Sequence, residues 1–278
     1  MGLVSHLYLR KDEGIQMKTV IKFLVIFAVV SGMFVGSPAN SYAITNGQPD
    51  GDGHPYVGAM FFFDQGDNLL GFCSGALISP TVVLTAGHCT DGAAQALVIF
   101  APDVTNPTLF AVGTPYTHPD FCFGCSRGLP GADTHDVGVV KLFFWSDTPI
   151  TSYARLPSEG FVDTLSKDTS VTILGYGVRE HTEGKPPHVW VDFGVRYYAP
   201  SKLIASNDVI SKEFVKLTAN PAQGKGGICL GDSGGPDLLG DIILSTNSFM
   251  NNNNCTGITY SNRIDTPDVL EFIDSFLQ

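Results

Sequence analysis

One serine of the chain, Ser233, lies in a glycine-rich stretch, residues 226–236, with Gly231, Gly234 and Gly235 around it. Glycine lets the backbone adopt turns that other residues avoid and lets other groups approach closely. A serine in such a turn can present its hydroxyl as a nucleophile while backbone N–H groups converge on one point, as an oxyanion hole requires. The stretch also satisfies the G-x-S-x-G pattern of a second hydrolase class, and by itself it is typical of any tight turn.

A serine nucleophile needs a base, and the positions of the histidines decide which hydrolase class fits. No histidine follows Ser233, which excludes the serine–acid–histidine order of the α/β-hydrolases. The base must therefore precede the serine. His88 is the strongest candidate, because it follows a β-type apolar run and adjoins Cys89. Four other histidines are assigned to loops: His118, His135, His181 and His188.

The third member of a triad would be an acid that orients the histidine. Asp136 enters a hydrophobic strand, residues 137–144, which would bury its carboxylate. Asp120 and Asp133 are rivals, but they lie in a loop rich in glycine and proline. Because an acid in a loop is usually solvated, Asp136 is preferred.

These three segments resemble the motifs of the trypsin/chymotrypsin-like serine proteases. Leu84-Thr85-Ala86-Gly87-His88-Cys89 is similar to the histidine motif of that family, residues 231–236 to its serine motif, and Asp136 to its acid. The order histidine, aspartate, serine is also that of the family. Two further segments resemble the mature N-terminus of the family and its Gly-Trp-Gly turn: Ile44-Thr45-Asn46-Gly47 and Gly175-Tyr176-Gly177, with tyrosine in place of tryptophan.

The resemblance implies a role for each residue of the site. Ser233 would attack a peptide carbonyl, His88 would take its proton, and Asp136 would hold the imidazole tautomer. The backbone N–H groups of Gly231 and Ser233 would form the oxyanion hole. The free amine of Ile44 would pair with Asp232 and order the site, so we expect removal of a signal segment directly before Ile44 to activate the enzyme.

Six cysteines lie after the predicted signal segment, residues 1–43. An even number of cysteines in a secreted chain is typical of disulfides. The resemblance implies the pairs Cys73–Cys89 and Cys229–Cys255. Cys122 and Cys125 favour a local disulfide, and a zinc site with His118 and His135 is the alternative. We expect no metal and no cofactor.

Specificity depends on the pocket beside the serine. Gly227 stands six positions before Ser233, where trypsin-like members carry an acid, so a preference for lysine or arginine is not supported. Ser248-Phe249-Met250 would line the pocket, with residues 245–247 as an alternative register. Met250 at the entrance would favour a small or medium apolar residue before the scissile bond.

Residues 1–43 have the layout of a secretory signal. Lys18 and Lys22 precede an apolar run, and Ser41-Tyr42-Ala43 provides a cleavage site; a start at Met17 is an alternative. The run is shorter than the about 20 residues that span a bilayer. We therefore expect a secreted protein, extracellular or periplasmic, with no membrane attachment after signal removal.

The remainder, residues 44–278, is rich in short strands divided by turns, which favours an all-β fold. The family implies two packed six-stranded antiparallel barrels, at about 44–150 and 151–265. Thr266 and Pro267 would begin a C-terminal helix at about 266–278.

The net charge of the chain argues against one function, nucleic-acid binding, and two alternatives to a peptidase stay open. With 16 basic and 27 acidic residues, a net charge of −11, the chain has no basic nucleic-acid surface. We expect a monomer that acts on peptides or proteins. A catalytically silent, protease-like binding protein and a secreted esterase with the same triad stay as alternatives.

Overall fold

Two closed antiparallel β-barrels account for most of the described chain. The structure is a computed structural model that describes residues 44–125, 133–181, 189–191, 193–205, 212–250 and 255–278. The predicted signal segment, residues 1–43, and His188 lie outside the described residues. Within the described ranges, no helix is long and apolar enough to cross a membrane.

The first barrel contains six strands and follows a short strand that belongs to the second barrel. These strands are β1 (Gln48–Pro49), β2 (Val57–Phe63), β3 (Leu69–Ser79), β4 (Val82–Thr85), β5 (Gln95–Ile99), β6 (Phe110–Thr117) and β7 (Gly138–Trp145). Their order is β2-β3-β4-β7-β6-β5, and β5 pairs with β2 to close the barrel. All seven residues of β2 are buried, and the side chains of Tyr176 and Arg196 donate to the carbonyl of its first residue, Val57.

The second barrel is also closed, and β1 pairs with it along β11. The strands after β7 are β8 (Ser170–Gly175), β9 (Arg179–His181), β10 (Val189–Val191), β11 (Tyr197–Ala205), β12 (Phe214–Ala219), β13 (Pro236–Leu239), β14 (Ile242–Met250) and β15 (Gly257–Arg263). Six of them follow the order β11-β12-β15-β14-β13-β8, and pairing of β8 with β11 closes the barrel. The hairpin of β9 and β10 forms a separate two-stranded sheet, so His181, which was predicted to lie in a loop, belongs to strand β9.

The described part of the chain also contains two α-helices, α1 (Gly87–Thr90) and α2 (Pro267–Asp274), and two short 3-10 helices, Phe161–Thr164 and Pro221–Gln223. Pro267 occupies the first turn of α2, where its missing N–H costs no hydrogen bond. The predicted architecture of two six-stranded antiparallel barrels with a C-terminal helix is confirmed.

Strand β14 is longer than its apolar residues suggest. Sequence patterning predicts only residues 242–244, whereas β14 continues to Met250 through four polar residues. These residues are buried at 0–9% exposure, and two of them bond to distant residues: Asn247 to the Asp232 carbonyl and Ser248 to the Asp136 carboxylate. A buried polar run has no hydrophobic pattern, so its strand was missed.

Candidate active site

His88 is positioned by the end of a buried strand and by a disulfide. Strand β4 leads through Ala86 into α1, and the adjacent Cys89 is bonded to Cys73 of β3. Gly87 is required locally, because a Cβ there would lie 2.9 Å from the Phe121 ring and 3.0 Å from Val137 N. The side chain of His88 keeps 27% exposure, so the imidazole is partly open to solvent.

The carboxylate of Asp136 is completely buried beneath that imidazole. Nδ1 of His88 lies 2.9 Å from Oδ2, and the His88 backbone N–H donates to Oδ1 at 2.8 Å. The Ser248 hydroxyl donates to Oδ2 at 2.5 Å, and the Asp136 N–H donates to Oδ1 of Asn262 at 3.1 Å. An ionised Asp136 therefore requires the tautomer with hydrogen on Nδ1, which leaves Nε2 as the basic nitrogen.

The charges of this pair shift both pKa values. Burial by itself would lower the pKa of His88, but the charge of Asp136 and its hydrogen bond outweigh burial and raise that pKa above 6.5. Burial would raise the pKa of Asp136, but His88 and the Ser248 hydroxyl bond hold it below 3.8. His88 is thus poised to accept a proton while Asp136 stays ionised.

A second carboxylate stands close to this pair. Ligand atoms of His88, Asp133 and Asp136 lie within 4.8 Å of one another. Asp133 was expected in a solvated loop, but it is partly buried and accepts the Gly124 N–H at 2.8 Å. Burial and the charge of Asp136 raise its pKa. Among the described residues this is a geometric candidate for a cation, although His88 and Ser248 already bond to Asp136.

Ser233 lies in a turn that packs against the residues directly before α1. Gly234 has φ +76°, and a Cβ there would lie 2.1 Å from Thr85 Oγ1 and 2.6 Å from Ala86 N. The Ser74 N–H donates to the Ser233 carbonyl at 2.8 Å, which fixes the turn to β3. Within the described chain the Ser233 hydroxyl makes no hydrogen bond, and catalytic hydrogen bonds are commonly long before substrate binds.

Two backbone donors of the serine turn are free. The N–H groups of Asp232, Gly234 and Gly235 donate to Cys229, Asn247 and Asp232 carbonyls, respectively. Among the described residues, the N–H groups of Gly231 and Ser233 have no protein acceptor. The φ of +92° at Gly231 is one that glycine adopts without strain. The turn can therefore offer two donors to an oxyanion.

Asp232 is completely buried between the serine turn and the Gly175-Tyr176-Gly177 turn. Its two oxygens accept the N–H groups of Gly177 and Cys229, each at 2.8 Å. Burial raises the pKa of Asp232 to about 7. A Cβ at either glycine of the Gly-Tyr-Gly turn would lie within 2.7 Å of an Asp232 side-chain atom, which explains both glycines.

The N-terminal segment lies alongside residues 226–227. Ile44 is fully buried in the core of the second barrel. The Thr45 N–H donates to the Gly227 carbonyl at 3.0 Å, and the Thr45 hydroxyl donates to the Cys255 carbonyl at 2.5 Å. This segment is thus held beside the irregular stretch, residues 225–231, that leads to Asp232.

The residues expected around a specificity pocket are held by tight packing. A Cβ at Gly227 would lie 2.4 Å from the Ala219 Cβ and 2.9 Å from the Cys255 carbonyl. Cys255 is bonded to Cys229, and Met250 packs against the core of the second barrel. The Ser248 hydroxyl donates to Asp136, the expected triad acid.

Ser74, Asn247 and Asn262 were missed as supporting residues. The Ser74 hydroxyl accepts from Tyr176 N and donates to the Gly231 carbonyl. Asn247 Nδ2 donates to the Asp232 carbonyl at 3.1 Å. What marks these residues is that they are polar and buried. Because no sequence pattern reveals the burial of a polar residue, they could not be predicted.

Cys122 and Cys125 are joined in a disulfide, which leaves neither thiolate for zinc. The two histidines of the zinc alternative stack on each other at 5.1 Å between ring centroids. His118 Nδ1 accepts the Asp120 N–H, and His135 Nε2 lies 3.2 Å from Asp268 Oδ2. The contact with His118 uses the backbone N–H of Asp120, whereas the carboxylate bonded to His88 Nδ1 is that of Asp136.

Comparisons with known proteins agree with this architecture. A collagenase of Hypoderma lineatum is 23% identical over 252 residues, covering 84% of this chain and 90% of the collagenase. A phenoloxidase-activating enzyme of Bombyx mori is 25% identical over 215 residues, 67% of this chain, and this chain spans 46% of that enzyme.

Two solved structures share the fold. HL collagenase has a TM-score of 0.63 and 19% identity, covering 86% of this chain and 97% of that chain. The scabies mite inactivated protease paralogue S-D1 has a TM-score of 0.62 and 16% identity, covering 84% and 97%. The Trypsin family model matches residues 44–270. Because that match covers most of the sequence and the fold agrees, the chain belongs to the trypsin family.

Proposed function

We propose that this chain is a secreted serine endopeptidase that uses His88, Asp136 and Ser233 as its triad. The arrangement around His88 carries the proposal. Its Nδ1 bonds to a buried carboxylate at 2.9 Å, and the serine turn packs against the residues directly before α1. Family membership supports the same chemistry, since trypsin-like proteins act on peptides and proteins.

The reaction is acyl transfer in two steps. The Ser233 oxygen attacks the carbonyl carbon of the scissile peptide, and its proton moves to Nε2 of His88. The negative oxygen formed accepts hydrogen bonds from the free N–H groups of Gly231 and Ser233. The C–N bond then breaks as His88 returns the proton to the leaving amine. Water attacks the acyl-Ser233 ester in the same way, which releases the acid and restores the serine.

Labelling with a fluorophosphonate tests this proposal. We expect modification of Ser233, as located by peptide mass spectrometry, and loss of peptidase activity in Ser233→Ala and His88→Ala. Ser158→Ala is the matched control, because Ser158 is exposed and lies outside the site. Folded wild-type protein that takes no label and cleaves no peptide would refute the proposal.

We further propose a preference for small or medium apolar residues before the scissile bond. Gly227 provides no negative charge, and Met250 contributes an apolar side chain near Ser248. A panel of chromogenic peptides that differ in this one residue measures the preference. A strong preference for arginine would contradict it.

We propose that removal of residues 1–43 activates the enzyme. The freed Ile44 amine would pair with the buried Asp232 carboxylate and stabilise the turn that carries Gly231 and Ser233. An α-amino group has a pKa of about 8, which a buried anionic partner raises. Activity should therefore fall at alkaline pH, as the amine loses its proton. N-terminal sequencing of active protein should begin at Ile44.

The three disulfides support an oxidising location, extracellular or periplasmic. We propose that the enzyme acts there as a monomer without a cofactor. Size-exclusion chromatography with light scattering measures the oligomeric state, and secretion from expressing cells measures the location.

A catalytically silent binding protein is the second candidate function, because a binding protein and an inactivated protease paralogue share this fold. Human heparin binding protein and the inactivated mite paralogue share this fold with TM-scores of 0.57 and 0.62. The net charge of −11 argues against binding of a sulfated polyanion by this chain. Comparing ester and amide substrates distinguishes an esterase, which would cleave only the ester.

A further inference from the structure

Arg196 is a completely buried cation that the proposed reaction does not use. Its side chain is 1% exposed, and Nε lies 2.8 Å from Oδ2 of Asp50, whose side chain is also 1% exposed. Nη2 donates to the Gly51 carbonyl at 2.5 Å. Nη1 lies within hydrogen-bond distance of the Tyr176 hydroxyl at 3.1 Å and the Val57 carbonyl at 2.9 Å.

The hydrogen bonds of Arg196 are directional, and an apolar side chain of the same volume could not make them. A buried ion pair is often no more stabilising than well-packed apolar residues of the same volume. An apolar side chain at position 196 could fill the space, but it could not hold separate segments in register. Arg196 bonds to three of them: residues 50–51, the start of β2 at Val57, and the Gly-Tyr-Gly turn at Tyr176.

The first of these segments leads from Ile44. Residues 48–49 pair with β11, and the Asp50 N–H donates to the Arg196 carbonyl at 2.9 Å. The ion pair therefore holds the chain six residues after Ile44, and Thr45 bonds to Gly227 at the other end. An amine released at Ile44 would start from a segment held at both ends.

Tyr176 leads from the ion pair to the serine turn. Its backbone N–H donates to the Ser74 hydroxyl at 3.0 Å, and that hydroxyl donates to the Gly231 carbonyl at 2.9 Å. The next residue, Gly177, donates its N–H to Asp232. Tyr176 is therefore linked to Gly231 through Ser74, and its neighbour Gly177 bonds to Asp232. Gly231 and Asp232 are the two residues that precede Ser233.

We propose that Asp50, Arg196 and Tyr176 are positioning residues that hold the Gly231–Ser233 turn in its competent form. This inference rests on the proposed peptidase function. This positioning role explains the tyrosine at position 176. Its hydroxyl accepts a hydrogen bond from Arg196 and donates one to the Ala101 carbonyl at 2.8 Å.

The expected effect is on apparent affinity. If loosening the assembly leaves a fraction of molecules competent, apparent dissociation constants rise by the inverse of that fraction, whereas saturating substrate restores the competent form. We expect Tyr176→Phe to lower the competent fraction to about one tenth. KM should then be about tenfold higher, and kcat should stay within about twofold of the wild-type value. The second-order rate of fluorophosphonate labelling should fall by the same factor.

A charge-free variant and a matched pair provide the controls. Asp50→Leu/Arg196→Met removes both charges together, so that neither is left buried alone. Arg263 and Asp265 form an equally buried pair, with Nε 2.8 Å from Oδ1, outside the proposed assembly. Arg263→Met/Asp265→Leu should lower the melting temperature comparably but leave KM unchanged.

Hydrogen exchange separates this inference from the peptidase proposal. We expect faster exchange of peptides that cover residues 229–235 in Tyr176→Phe and in the Asp50/Arg196 double variant, but not in the Arg263/Asp265 control. This readout applies even if the wild type takes no label, which would refute only the peptidase proposal. Unchanged KM and unchanged exchange in both variants would overturn the positioning role.

Discussion

The buried carboxylate of Asp232 should make the stability of the unprocessed chain fall with rising pH. Before Ile44 is released, two backbone N–H groups bond to Asp232, and burial raises its pKa to about 7 from 3.8. A raised folded-state pKa means that the folded protein favours the protonated acid. Stability is therefore lost as pH rises from 3.8 through about 7.

The magnitude follows from the size of the pKa shift. The full shift corresponds to about 4 kcal/mol, of which about 3 kcal/mol falls between pH 5 and pH 8. Asp232→Asn cannot ionise, so its stability should lack this part of the pH dependence. The amide still accepts one of the two N–H groups, so the fixed cost is about 1 kcal/mol at every pH.

Urea unfolding at pH 5 and pH 8 measures the effect. Both proteins should carry Ser233→Ala and retain residues 1–43, so that neither autolysis nor processing interferes. We expect the difference in unfolding free energy between them to change by about 3 kcal/mol between the two pH values. Other titrating groups cancel in that difference.

Asp237 provides a matched control. It is fully buried, accepts the Ser245 hydroxyl at 2.7 Å, and burial raises its pKa to about 7. Release of Ile44 should abolish the pH dependence due to Asp232, because an amine then compensates its charge, but not that due to Asp237. A difference between the two proteins that is constant with pH, or a processed protein that behaves like the precursor, would refute the reasoning.

Four other predictions concern the proposed triad and its turn. The acid limb of kcat/KM should have its midpoint above 6.5, because the raised pKa of His88 protonates the base as pH falls. Asp136→Asn should lower kcat about 10⁴-fold by favouring the wrong tautomer, and Ser248→Ala should move the acid limb to higher pH. Gly234→Ala should prevent labelling, since its Cβ would overlap Thr85.

Each has a defined check. pH–rate profiles measure the first three effects. An acid limb below 6.5, an active Asp136→Asn enzyme or an acid limb that does not move in Ser248→Ala would contradict them. Gly240→Ala is the control for Gly234, because Gly240 has φ +64° and open space around it. It should cost about 1 kcal/mol by thermal unfolding and leave labelling intact.

The fold and family could be predicted because their signals are local. The motif around His88, the stretch around Ser233 and the short apolar strands of the first barrel each occupy a few consecutive residues. The pattern failed in β14, where residues 245–248 are polar and buried. A hydrophobic pattern reports only burial that is apolar.

Sequence by itself determined which residue types are available for acyl transfer, their order along the chain and the class of fold. Tertiary structure decided their partners. It brought Asp133 beside His88, turned the Ser248 hydroxyl to Asp136, and paired Asp50 with Arg196 across 146 positions. Those contacts form because the two closed barrels bring together segments that are far apart in the sequence. The spacing of neighbouring residues does not encode such contacts.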